Sequence, residues 1–159
     1  MKKVKVRGIV GIPIYLLMVS TFIIILLFSL TICYVVTKPR IGYIELYLNG
    51  SRITQIPITN ITKDGYAYYD AKKFGQFLVV RVLTPYTRPI QNAYVHVKGC
   101  GLDNHGWTNT SGYAKVNITF LRLTPEQMEA YITITVHAFG FLSETYWVGD
   151  VKVFRKAQF

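Results

Sequence analysis

The residues best suited to chemistry crowd into one short stretch, Val97 to Gly112, "VKGCGLDNHGWTNTSG". It carries Cys100, Asp103 and His105 among four glycines, with His96 just ahead of it and His137 further along. A thiol becomes a nucleophile or redox centre when a base or a second thiol stands beside it. Copper or zinc asks for converging thiolate, imidazole and carboxylate donors. The spacing here is neither C-x-x-C nor H-x-x-x-H. His96 therefore reads as a lone outward strand residue, His105 as a turn residue, and His137 as a residue of another strand, and no metal site is expected. Cys100, between two glycines, reads as a small residue tolerant of apolar surroundings, and it is the sole catalytic candidate.

No carboxylate pair, Ser-His-Asp arrangement, phosphate-binding glycine loop or haem motif is present, so no cofactor is expected on this chain. Four N-x-S/T sequons occur, at Asn49, Asn60, Asn109 and Asn117, and they predict an N-glycosylated chain. Asn49 and Asn109 are also natural turn residues, because Asn tolerates left-handed backbone and bonds locally.

The elements that must position these residues follow from patterning. From Ile9 to Val36 there are 28 residues without Asp, Glu, Lys, Arg or His. As a helix they span about 42 Å, enough for a hydrocarbon core of about 30 Å. A removable signal has a shorter apolar run and a small-residue cleavage site, so a retained anchor in the lipid bilayer is expected. Lys2, Lys3, Lys5 and Arg7 precede the run, and Lys38 and Arg40 follow it. That bias predicts a cytoplasmic N-terminus, with the rest of the chain outside. The expected organisation is a basic segment over 1–8, a transmembrane helix over 9–36, a linker over 37–41 and a β domain over 42–159.

The net charge is +10, of which six basic flanking residues supply the larger part. Residues 41–159 keep 12 Lys+Arg against 8 Asp+Glu, scattered singly. A nucleic-acid surface would show a basic cluster, so nucleic acid is set aside as a partner. The two cysteines, Cys33 in the apolar run and Cys100 far beyond it, do not make a disulfide framework.

Beyond Gly42 the apolar period changes to two. Ile44, Leu46 and Leu48 share a face, Asn49-Gly50 marks a turn, and Ile53 to Ile58 is expected to return as a hairpin. Residues 59–73 read as loop with a short edge strand near Tyr66–Tyr69, and Phe77–Leu83 as a central strand. Ala93/Val95/Val97, Ala114/Val116/Ile118/Phe120 and Ile132/Ile134/Val136/Ala138 each alternate with polar residues, and Tyr146–Phe154 closes the series. Thr124–Ala130 carries a cap-like pattern for one short helical turn. About seven strands joined by Gly/Pro turns predict an all-β sandwich.

The stretch Pro89–Phe120 resembles immunoglobulin-like sandwiches of the carboxypeptidase-regulatory type, through Ala93, Val95 and Val97, then Thr108-Asn109, Gly112 and Ala114. That resemblance implies an immunoglobulin-like β-sandwich and says little of function. One anchor followed by one such domain, at this length, resembles the small (DoxA-type) subunit of archaeal thiosulfate:quinone oxidoreductase. Membership would imply a multi-span membrane partner, thiosulfate as an anionic sulfur substrate, a quinone as electron acceptor, and catalysis located on or shared with the partner. A covalent thiosulfate adduct would then fall to Cys100, and the +4 balance of the outer domain would attract the anion, less so in salt. In competition, "KVRGIVGIPIYLLM" resembles the processing site of archaeal type IV pilins, with cleavage between Gly8 and Ile9 and Pro13 as a departure. That resemblance implies a structural surface protein without enzymatic role.

Overall fold

A computed structural model describes residues 14–140 and 143–156. The basic segment 1–8, the Gly8–Ile9 junction and Pro13 lie outside the described residues. The chain divides into two units, Met1–Val36 and Thr37–Phe159.

The first unit is described by α1, Ile14–Thr37, 24 residues with no acidic or basic side chain in its end turns and none of its residues buried. At about 1.5 Å per residue it is about 36 Å long. By length and composition it can cross a membrane, a test that a signal sequence also passes. Hydroxyls at Ser20, Thr21 and Thr31 turn onto the helix's own backbone: Ser20 Oγ donates to Leu17 O at 2.9 Å and Thr31 Oγ1 to Leu27 O at 2.8 Å. Such back-bonding satisfies polar side chains where water is absent. Pro39 follows two residues after α1 ends, lacking an amide donor to continue it.

The second unit is mostly β. Its elements are β1 (Tyr43–Leu48), β2 (Ser51–Ile53), β3 (Gln55–Ile58), β4 (Asn60–Ile61), β5 (Ala67–Tyr68), α2 (Ala71–Phe74), β6 (Phe77–Leu83), β7 (Tyr94–Gly99), β8 (Leu102–Trp107), β9 (Tyr113–Asn117), β10 (Arg122–Leu123), β11 (Glu129–Phe139) and β12 (Glu144–Arg155). One sheet runs β2-β1-β6-β9, a second β3-β12-β11-β7-β8, and a small third β10-β5-β4. All described pairings are antiparallel except β12 with β3.

The alternation read from the sequence places the core. Leu78, Val80 and Val82 from the first sheet, and Val95, Val97, Ile132, Ile134 and Val136 from the second, are buried in one apolar cluster. Each such side chain contributes roughly 1.5–3 kcal/mol when withdrawn from water. The two large sheets therefore share one core. Their β8 and β9 edges meet: Asn104 Nδ2 donates to Asn117 O at 2.7 Å. A Cβ on Gly106 would lie 2.7 Å from Lys115 O, so β8 approaches β9 as only glycine permits. On the opposite side β3 is an edge strand carrying Pro57, a residue edges tolerate.

Several expectations are corrected. Asn49 and Gly50 do form the β1–β2 turn, both at positive φ (47° and 79°), the geometry of a two-residue hairpin loop. The return stops at Ile53, however. Ile56 and Ile58 are fully buried, and they reach burial by crossing to the second sheet as β3. The short strand expected near Tyr66–Tyr69 is present as β5, but the stretch read as loop around it also holds β4 and the start of α2, capped by Asp70 Oδ1, which accepts from Lys72 N and Lys73 N at 3.1 and 3.2 Å. Thr124–Ala130 is not helical. Gln127 N donates to Thr124 O at 3.0 Å and Thr124 N to Gln127 Oε1 at 3.2 Å, closing a tight turn before β11 begins at Glu129. Phe120 lies beyond the end of β9 and is 72% exposed instead of joining the core.

Candidate functional site: an outward aromatic and histidine face

The outward face of the second sheet gathers the residues that sequence spacing left apart. Strand register builds rows across β8, β7, β11 and β12. Trp107 faces Tyr94, Tyr94 faces His137, and His137 faces Tyr146. The next row is His105, His96, Thr135 and Val148, and the next Asp103, Lys98, Thr133 and Asp150. Beyond the aromatic row, Phe139 pairs with Glu144. Period-two alternation sends these side chains outward because their neighbours Val95, Val97, Ile134, Val136 and Ala138 are buried.

All three histidines thus sit around Tyr94, its ring centroid lying 6.3 Å from that of His96, 5.3 Å from His105 and 5.8 Å from His137. Trp107 stands edge-on to Tyr94 at 5.1 Å, and His137 edge-on to Tyr146 at 4.4 Å. Such contacts prefer these offset geometries. Trp107, Phe139 and Tyr146 are each more than half exposed.

The polar partners of two histidines come from the same sheet. His96 Nε2 lies 2.7 Å from Asp103 Oδ1, and His137 Nδ1 lies 3.0 Å from Glu144 Oε1. Glu144 Oε2 also accepts from the Tyr146 hydroxyl at 2.5 Å. The bond from Tyr146, and then that from His137, hold the Glu144 carboxyl below its ordinary range; His96 does the same for Asp103. The Tyr146 phenol is pushed up by the same carboxylate.

Cys100 stands apart from this face. It occupies a turn with Gly99 and Gly101, all three at positive φ. Its Sγ reaches the Tyr131 carbonyl at 3.5 Å, and it packs partly buried against the core. Burial pushes the thiol up, the direction opposite to that of an activated nucleophile. Among the described residues, no group of three or more His, Cys, Asp or Glu is arranged to hold a metal ion.

The four sequon asparagines are all exposed. Asn109 Oδ1 accepts from Ser111 N and Tyr113 N at 3.0 Å each, closing the β8–β9 turn. Asn117 Oδ1 accepts from Thr119 N at 2.9 Å.

The reading of His105 as a turn residue is corrected: it lies within β8, as does Gly106. The usual strand signal is missing because the inward positions of β8 are Leu102, Asn104 and Gly106. Two of these three serve the meeting with β9 instead of the apolar core. The outward series Asp103, His105 and Trp107 was the available signal.

Taken together, the described residues define a mostly β unit that follows an apolar helix and displays an aromatic, histidine-bearing sheet face. No family model, curated protein or solved structure matches the chain.

Proposed function

We propose that this chain is a membrane-anchored accessory subunit, its β unit an immunoglobulin-like sandwich held outside the cell and its anchor packed on a larger multi-span partner. The observation that carries the reading is α1: 24 residues, uncharged throughout and with none buried. A helix uncovered in this way needs lipid or another membrane protein around it. The two facing sheets and the Ala93–Ala114 pattern support the immunoglobulin-like assignment.

Within this reading the complex is a redox enzyme that oxidises thiosulfate and passes electrons to a membrane quinone, the activity implied by the resemblance of the whole plan. The chemistry falls to the partner. The carboxylate–histidine pairs of this chain lie on an open face, and the raised Cys100 thiol is poorly suited to carry sulfur. The β unit supports or covers the partner and draws in the anionic substrate.

The test is gentle solubilisation of the membrane complex, identification of co-purifying chains, reading of this chain's N-terminus, and assay of thiosulfate-dependent quinone reduction. A stoichiometric multi-span partner with that activity is the expected result. A secreted chain lacking α1, or assembly into filaments, overturns the reading.

A further inference from the structure

We propose that the end of the aromatic face carrying Phe139, Trp107 and Tyr146 seats in the headgroup layer of the bilayer, so that the β unit lies against the membrane surface. This rests on the anchor reading above.

Continuity of the chain supplies the first argument. Thr37 is the last residue of α1 and the first of the β unit. Thr145 Oγ1 donates to Pro39 O at 2.6 Å. A Cβ on Gly140 would lie 2.6 Å from Thr37 O and 2.8 Å from Pro39 Cδ. The β unit thus begins, at Thr37 to Pro39, beside Gly140 and Thr145. A chain emerging from the hydrocarbon core at Thr37 sets the level of these residues at the membrane–water boundary.

The second argument is the order of the rows. Starting from this level, the face reads Phe139 with Glu144, whose carboxylate is held by His137 and Tyr146, then Trp107, Tyr94, His137 and Tyr146, then the histidine row, then Asp103, Lys98 and Asp150. Alternate residues of a strand are about 7 Å apart, and each interfacial layer of a bilayer is roughly 5–8 Å thick. The first two rows therefore fit within that layer. Trp and Tyr concentrate there because their rings are apolar with one polar tip. The Asp103–Lys98–Asp150 row falls beyond it, in water. Lys38 and Arg40, both exposed beside Pro39, supply the positive charge that anionic headgroups attract.

The full chain is reconstituted as Trp147→Phe, leaving Trp107 as its one tryptophan, in vesicles of neutral and anionic lipid with a fraction brominated on the acyl chains. Trp107 emission is expected to be roughly halved by the bromolipid, as for an indole at the headgroup level, and to shift to the blue. Lys38→Gln with Arg40→Gln is expected to weaken that quenching in anionic vesicles. Should the Trp147→Phe chain fold poorly, unsubstituted chain is compared with Trp107→Phe, and the quenched component must vanish with Trp107. A chain that floats with the vesicles while Trp107 stays unquenched overturns the seat and leaves the anchor standing. A chain that does not float overturns both. Trp107 unquenched in vesicles but shielded in a purified complex would assign the face to a protein partner instead.

Discussion

Thr108 offers the sharpest test of how the aromatic face is held. It follows Trp107 directly, and it is 2% exposed. Its hydroxyl accepts from Ala93 N at 2.8 Å and donates to Ile90 O at 2.7 Å. Its backbone bonds the same region, with Thr108 N donating to Ala93 O and Asn92 N to Thr108 O, both at 2.9 Å. The side chain thus fastens the end of β8 to the start of β7. Thr108→Val keeps shape and backbone bonds but strands one buried N–H and one buried C=O. Each stranded group costs about 1–3 kcal/mol, and the new methyl returns about 0.8 kcal/mol of apolar burial. The expected net loss is about 3 kcal/mol. Thr108→Ser keeps both hydroxyl bonds and loses only a methyl, about 1 kcal/mol. The assay is urea unfolding of the micelle-held full chain, followed by tryptophan emission. A Thr108→Val chain as stable as Thr108→Ser would refute the reasoning, because polar satisfaction would then be irrelevant at this site.

Gly106→Ala drives a Cβ to 2.7 Å from Lys115 O; the expected cost is about 1–3 kcal/mol, read in the same unfolding assay. If the proposed quinone-reducing complex is obtained, Cys100→Ala is expected to leave its turnover unchanged, and loss of turnover with retained assembly would assign the thiol a part in the proposed chemistry. Glu144 is held below its ordinary value of 4.5 by Tyr146 and then His137. Its bonds therefore stabilise the fold above that value and are lost as pH falls through the lowered folded value. Melting temperature should drop on acidification below pH 4.5 more steeply for the natural chain than for Glu144→Gln; parallel profiles would refute the pairing.

What could be read without coordinates was whatever depends on near neighbours along the chain. The uncharged run predicted a long apolar helix, described as α1, because an apolar stretch of that length satisfies its backbone groups within itself as a helix. Ala93–Val97, Ala114–Ile118 and Ile132–Ala138 announced strands because one face of each is withdrawn from water. Asn49-Gly50 announced its turn because both residues accept positive φ. The short helix α2 falls in a stretch read as loop, because four residues carry no helical periodicity even with Asp70 and Gly75 as its caps.

The tertiary structure decided what depends on residues far apart. Ile53–Ile58 is apolar on either sheet, and only the space beside β12 takes Ile56 and Ile58 away from the first hairpin. Strand β8 hides its period because Asn104 and Gly106 answer to β9, not to the apolar core. The three histidines looked unrelated, yet the register of β7 against β8 and β11 sets all of them around Tyr94. Spacing along one strand says which side chains share its face. Which strand lies next to it, and at what offset, is set by packing of the whole core, and the face itself exists only there.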